Sequence, residues 1–100
     1  MKPTFLELRH LRTLLALKET GSVSMAAKRV YLTQSALSHQ IKLMEEQFGL
    51  PLFERKSNPL RFTAAGDRLI RLANEILPKV VDAERELARV KHGDAGQLRI

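Results

Sequence analysis

Two short amphipathic segments, separated by only a few residues, constrain the fold of this sequence more than any other feature. In the second segment an apolar residue recurs every three or four positions, which predicts a helix buried along one side: Leu37, Ile41, Met44 and Phe48. The opposite side has short hydrogen-bonding or basic residues: Ser35, Ser38, His39 and Lys42. Just upstream, residues 24–30 form a shorter predicted helix. Two helices joined this tightly, the second polar on its outer side, are typical of a helix-turn-helix.

The polar side of the second predicted helix suits the major groove of DNA, where base edges present hydrogen-bond donors and acceptors. Gln34, at the helix end that would enter the groove, could contact adenine through its amide or merely cap the helix. Ser35 and Ser38 are short enough for phosphates or base edges at close approach, and Lys42 suits a phosphate. The acidic residues at 45–46 would be repelled by DNA, so only the first half of this helix is expected to insert.

Capping residues predict where the helices begin and end. A first helix is expected over residues 5–18, followed by Gly21, which is free to adopt a left-handed cap. After a turn at residues 30–32, the third helix is expected to stop near Gly49, with Pro51 preventing its continuation. The N-caps of the second, third and last helices are expected at Ser22 or Ser24, at Thr33 and at Thr63.

A short β-hairpin is predicted after the third helix. Residues 52–55 and 60–62 form two brief extended runs, and the connector at residues 56–59 is rich in turn formers. A basic hairpin that follows a DNA-contacting helix is a wing. The alternative interpretation is a solvated surface loop, which the same turn residues would also allow.

A long helix is predicted from Thr63 to about His92, where Gly93 would end it. A domain this small cannot cover about 45 Å of helix with its own core, so we expect the apolar seam of this helix to pair with a second chain. Gly66 in its first turn indicates close packing, and Pro78 lies away from the seam. The seam repeats at alternating spacings of four and three, and its residues are Leu69, Ala73, Ile76, Val80, Ala83, Leu87 and Val90.

Charge and composition exclude several classes of protein. The net charge is +6 over 100 residues, and residues 1–62 contribute +5 of it, with ten Lys and Arg against five Asp and Glu, as phosphate binding requires. No cysteine is present, and three scattered histidines do not suggest a metal site. Without a signal peptide or a long apolar run, the chain is expected to be soluble and cytoplasmic. The sequence contains no nucleophile elbow or phosphate-binding loop that would suggest an enzyme. The alternative to DNA binding is a basic helical module that binds an acidic partner.

Three motifs together resemble the N-terminal DNA-binding domain of LysR-type transcriptional regulators, and the resemblance extends over nearly the whole chain. They are Ala26-Ala27 followed by TQSALSHQI at residues 33–41, LFER at 52–55, and FTAAG at 62–66. Within the family, QSALSHQ, RKSNPLRFT, LAN and LP are most similar to regulators of methionine biosynthesis. Two positions depart from the family pattern. Ser35 replaces a common proline, and His39 replaces a common arginine, whose bidentate contact to guanine an imidazole cannot form.

The resemblance implies a mainly α-helical winged helix-turn-helix followed by a long dimerisation helix. It divides the chain into a DNA-binding domain at 1–62 (helix-turn-helix about 22–41, wing about 52–62), a linker helix at 63–92, and a hinge with the start of an effector-binding domain at 93–100. The implied partners are double-stranded DNA and a second copy, with tetramers at full length. No cofactor is expected in this chain; homocysteine is the effector suggested for the domain beyond it. The candidate DNA-binding residues are Thr33, Gln34, Ser35, Ser38, His39, Lys42, Arg55 and Lys56.

Overall fold

The computed structural model describes residues 4–54 and 59–92, which form four helices and the base of a hairpin. The helices are α1 (Leu8–Thr20), α2 (Val23–Arg29), α3 (Gln34–Phe48) and α4 (Ala64–Lys91). Between α3 and α4, an isolated antiparallel bridge joins Phe53 and Phe62. This is the mainly helical architecture that the sequence predicted, and α1 packs against both α2 and α4.

Helix α1 begins three residues later and ends two residues later than the 5–18 predicted from the sequence. Its N-cap, Glu7, has extended backbone, and the Glu7 N–H donates to Nδ1 of His10 at 2.9 Å. The preceding Phe5 packs beside the core instead of extending the helix. At the other end Gly21 adopts the left-handed conformation (φ 69°), and its N–H donates to the Leu17 carbonyl at 2.8 Å, as predicted.

The helix-turn-helix forms as expected, with α2 spanning residues 23–29 instead of the predicted 24–30. Ser22, not Ser24, is its N-cap, because the Ser22 hydroxyl accepts the N–H of Met25 at 3.3 Å. Thr33 caps α3 in the same way, accepting the N–H of Ala36 at 3.0 Å. In the turn between them, Tyr31 has a positive φ of 60°, a conformation uncommon for a bulky residue.

The hydrophobic core lies where α1, α2, α3 and the start of α4 meet. The fully buried alanines of α2, Ala26 and Ala27, allow α2 to approach its neighbours closely. The predicted apolar side of α3 is confirmed, except that Phe48 remains 39% exposed at the edge of the core. The largest side chains with almost no exposure are Leu14, Leu17, Leu37, Met44 and Leu52.

The hairpin base connects the core to α4. The Glu54 N–H donates to the Arg61 carbonyl at 2.9 Å, and the Thr63 N–H donates to the Leu52 carbonyl at 3.0 Å. The rings of Phe53 and Phe62 meet edge to face, with centroids 5.2 Å apart. Within the described residues, the two predicted extended runs thus form a single bridge instead of two strands. Residues 55–58, which are the last residue of the first predicted run and most of the predicted connector at 56–59, lie outside the described residues.

Helix α4 starts at a predicted cap and soon leaves the core. The Thr63 hydroxyl accepts the N–H of Gly66 at 3.2 Å and donates to the Pro51 carbonyl at 2.7 Å. Among the residues of α4, only Gly66, Ile70 and Ala73 are buried, all in its first three turns. Farther along, Leu87 is 66% exposed. As predicted, the chain's own core covers only the beginning of this helix, and Pro78 lies on its exposed side.

Candidate nucleic-acid interface

The outer side of α3 is a row of exposed polar side chains at the start of the helix. The row comprises Thr33, Gln34, Ser35, Ser38, His39 and Lys42, all of which are exposed. On the inner side, Leu37, Ile41 and Met44 are 4% exposed or less. Because these three are packed into the core, the rotation of α3 about its axis is fixed and the polar row must face outward.

The hydroxyls at the N-terminus of α3 are partly engaged in capping. The Thr33 hydroxyl accepts a backbone N–H and lies 3.4 Å from the Ser35 hydroxyl. Both hydroxyls are exposed at the helix end whose free N–H groups and dipole favour anions. The arrangement suits a phosphate or an electronegative base edge close to this end of α3.

The later part of the polar row on α3 lies next to the base of the hairpin. Ser38 and Lys42 border a shallow depression of about 270 Å³ that also includes Val23 of α2 and Phe53 of the hairpin. This places the middle of α3 beside the hairpin base. A duplex held against α3 would therefore pass close to the hairpin.

Glu45 has a role that the sequence analysis missed. Its Oε2 accepts the N–H of Leu52 at 2.8 Å, which connects the third helix to the start of the hairpin. The sequence predicts that the acidic residues of α3 lie away from DNA, and this contact turns the Glu45 carboxylate toward the protein. No local pattern could have predicted it, since the partner is a backbone group seven residues later beyond a turn.

Arg55 and Lys56, the two candidate wing residues, lie outside the described residues. Just before them, Glu54 pairs with Arg61 across the hairpin base, with 3.3 Å between Oε1 and Nε. The Glu54 carboxylate therefore already has a cationic partner, Arg61, on the opposite side of the hairpin base.

His10, one of the three histidines that do not suggest a metal site, is buried at 4% exposure. Its ring stacks on Phe5 with centroids 4.9 Å apart while Nδ1 accepts the N–H of Glu7. Burial lowers the pKa of His10 below its ordinary value, and the neighbouring Arg9 lowers it further, against an opposing contribution from Glu7. The neutral ring is thus part of the fold of α1.

The predicted dimerisation seam divides into a covered and an uncovered part. Ala73 is completely buried within its own chain, so this position cannot contribute much surface to a partner. The half-buried seam residues are Leu69, Ile76, Val80 and Val90, and the exposed ones are Ala83 and Leu87. The uncovered part therefore begins near Ile76 and lies mainly in the distal half of α4.

Two kinds of site have no counterpart in the described part of the chain. Residues 4–54 and 59–92 contain no group of three or more His, Cys, Asp or Glu side chains that could hold a metal ion. Over the same residues, no helix is both long and apolar enough to cross a membrane.

Comparison with curated proteins shows close relatives over the whole chain. The chain is 90% identical over 100 residues to HTH-type transcriptional regulator MetR of Haemophilus influenzae, covering all of this chain and 32% of that protein. It is 50% identical over 78 residues to MetR of Escherichia coli K12, covering 78% of this chain and 25% of that protein. The chain thus spans between a quarter and a third of the length of these relatives.

Solved structures agree with the sequence relatives. The complex of the BenM DNA-binding domain with catB site 1 DNA superimposes with a TM-score of 0.78 at 35% identity, covering 88% of this chain and 95% of that one. A CbnR DNA-binding domain in complex with DNA gives a TM-score of 0.68 at 32% identity, covering 84% and 100%. The profile of the bacterial regulatory helix-turn-helix proteins of the lysR family matches residues 8–67, and the chain belongs to this family.

Proposed function

We propose that this chain binds double-stranded DNA sequence-specifically and is the DNA-binding domain of a MetR-type transcriptional regulator. The observation that supports this most strongly is the row of exposed polar side chains on α3, held outward by a packed apolar side. The similar DNA-binding domains of BenM and CbnR have been solved in complex with DNA. A bacterial regulator of this kind acts on the chromosome, in the cytoplasm.

Within this proposal, the residues of α3 divide into two roles. Gln34, Ser35, Ser38 and His39 contact base edges in the major groove, whereas Lys42, farther along the helix, contacts a phosphate. Thr33 presents its hydroxyl and the free N–H groups of the helix end to the DNA backbone. The expected wing residues, Arg55 and Lys56, would follow the narrow minor groove next to the major-groove site.

The domain boundaries and the assembly are also proposals. Residues 1–62 would bind DNA, residues 63–92 would pair two chains through the uncovered seam of α4, and residues 93–100 would lead into an effector-binding domain. Full-length chains would form tetramers from such dimers. The MetR name of the relatives, with the motif resemblance, supports methionine-biosynthesis genes as the targets and homocysteine as the effector of the domain beyond this chain.

The test is a binding measurement on variants of α3. A duplex selected by the wild-type chain from a random library would be compared with a scrambled duplex of equal length. Gln34→Ala should cost about 1–3 kcal/mol on the selected duplex and relax base preference at one position. Lys42→Ala should weaken both duplexes alike and reduce the dependence on salt. Equal losses on both duplexes for Gln34→Ala would contradict the assignment of α3 to base contacts.

A further inference from the structure

A basic edge borders the side of α3 that faces away from the hairpin. We define the α1 edge as Arg9 and Arg12 of α1 together with Tyr31 of the turn between α2 and α3. These three residues line one depression of about 310 Å³, and Gln40 of α3 also lines it. Arg9 also lines a second depression with His39 and Ala36 of α3. The α1 edge is thus adjacent to the polar row without being part of it.

The side chains of the α1 edge are available for a partner. Tyr31 is 93% exposed on a backbone with positive φ. Arg12 is exposed and has no ion-pair partner among residues 4–54 and 59–92. Arg9 pairs with Glu7 at 3.0 Å, but both side chains are more than half exposed, and such pairs are weak and easily rearranged.

The dimensions of the groove place a DNA strand beside this edge. A helix with its side chains is about 10–12 Å across, and the major groove of B-DNA is about 12 Å wide. A helix lying in the groove therefore has a phosphate backbone along each of its two sides. One side of α3, with Ser38 and Lys42, faces the hairpin; the other faces the α1 edge.

We infer that the α1 edge is a second phosphate-binding surface, in which Arg9, Arg12 and the Tyr31 hydroxyl contact the DNA strand opposite the hairpin side. This inference rests on the proposed DNA-binding function and adds residues that the α3 row does not include. Arginine and tyrosine are both common donors to phosphate oxygens, and arginine can do so with two parallel N–H groups. Because the α1 edge is adjacent to the proposed base-reading row of α3, the phosphates of the bound duplex are a nearer anionic partner than an acidic protein surface would be.

Gln40 gives this edge a further feature. Its Oε1 is buried and has no hydrogen-bond partner among the described residues, although it lies in the depression bordered by the two arginines. A guanidinium has five N–H donors and can bind a phosphate while donating another N–H to such an acceptor. An arginine side chain that binds a DNA phosphate could therefore also donate a hydrogen bond to Gln40 Oε1. This second bond would stabilise the arginine in its phosphate-binding position.

The experiment measures the salt dependence of binding by fluorescence anisotropy on the selected and scrambled duplexes. Arg9→Gln with Arg12→Gln removes two cations and keeps much of the side-chain stems. Arg85→Gln with Arg89→Gln, on the exposed distal half of α4, removes the same charge elsewhere. For the first variant, the slope of log K against log salt should decrease in magnitude by about 2 for each bound protomer, with both duplexes weakened alike. The second variant should keep nearly the wild-type slope.

Tyr31→Phe tests the hydroxyl separately, since it should weaken binding severalfold without changing the slope. Equal slopes for the two double-arginine variants would overturn the inference. Unchanged DNA binding together with lost transcription in a reporter strain would also overturn it, in favour of an acidic protein partner. A wild-type chain that did not distinguish the selected from the scrambled duplex would instead refute the proposed function, so the two failures can be told apart.

Discussion

At the scale of single residues, His10 shows how a buried side chain outside the polar row supports the fold of the DNA-binding unit. It closes the first turn of α1 by accepting the Glu7 N–H, and it stacks on Phe5. Phe5 in turn contacts Phe48 edge to face at 5.9 Å, so His10 indirectly supports the end of α3. A proton on Nδ1 would abolish the hydrogen bond and place a charge in an apolar stack.

The stability of the fold should therefore depend on the protonation of His10. Burial lowers the pKa of the folded His10 below the ordinary 6.5 of the unfolded chain. As pH falls below 6.5 the unfolded state takes up its proton first, so the free energy of unfolding should decrease until pH passes the folded pKa. His10→Gln should remove this dependence in urea unfolding at a series of pH values, whereas His39→Gln, at an exposed position, should leave it. Identical pH profiles for wild type and His10→Gln would contradict this role.

At the scale of secondary structure, Gly66 shows why a poor helix former can be required inside a helix. A Cβ at this position would overlap the Leu52 carbonyl oxygen and approach the Phe62 ring. Helix propensity favours Ala over Gly by about 1 kcal/mol, but steric overlap with a buried backbone carbonyl exceeds that gain. The close packing that the sequence predicts at Gly66 is confirmed.

We expect Gly66→Ala to destabilise the fold by about 1–3 kcal/mol, the typical cost of overpacking. The melting temperature should fall by about 4–8 °C per kcal/mol for a domain of this size. Ala64→Gly, at the exposed first residue of the same helix, provides the control because it changes propensity without a tertiary contact. A melting temperature raised by Gly66→Ala would mean that Leu52 and Phe62 can move away at little cost.

The elements that sequence patterns predicted well are those specified locally. Caps such as Thr33 and Thr63 and the apolar side of α3 depend on residues within a turn or two of each other, and the structure confirms them. Contacts between distant or backbone groups were not predictable. The start of α1 depends on a histidine that bonds backward, and Glu45 bonds a backbone group across a turn. Neither contact leaves a periodic signal in the sequence.

At the scale of the whole molecule, the distal half of α4 leaves apolar side chains uncovered by the described part of the chain. Helix α4 has 28 residues, and its last buried residue is Ala73, in the third turn. The uncovered apolar residues include Val81, which is 41% exposed, and Leu87. Pairing with α4 of a second copy of this chain would bury the seam, and no other protein would be needed.

Leu87→Glu tests the dimer better than a change nearer the core, because Leu87 makes little contact with its own domain and the variant should fold normally. We expect it to sediment as a monomer at concentrations where the wild-type chain is dimeric. Arg85→Glu, two residues away and exposed, is the control for added negative charge and should remain dimeric. A wild-type chain that sediments as a monomer at high micromolar concentration would rule out this seam as a dimer contact.

The buried Leu52 joins three parts of the molecule at one point. Its N–H is held by Glu45 of α3, its carbonyl accepts the N–H of Thr63, and Gly66 of α4 packs directly against it. These contacts connect the proposed base-reading helix directly to the base of the hairpin. The protein would then set the number of base pairs between the proposed major-groove contact of α3 and the proposed minor-groove contact of the wing. A duplex whose twist or groove width does not match this spacing would have to deform. Such a unit would select DNA by its stiffness at positions that no side chain touches.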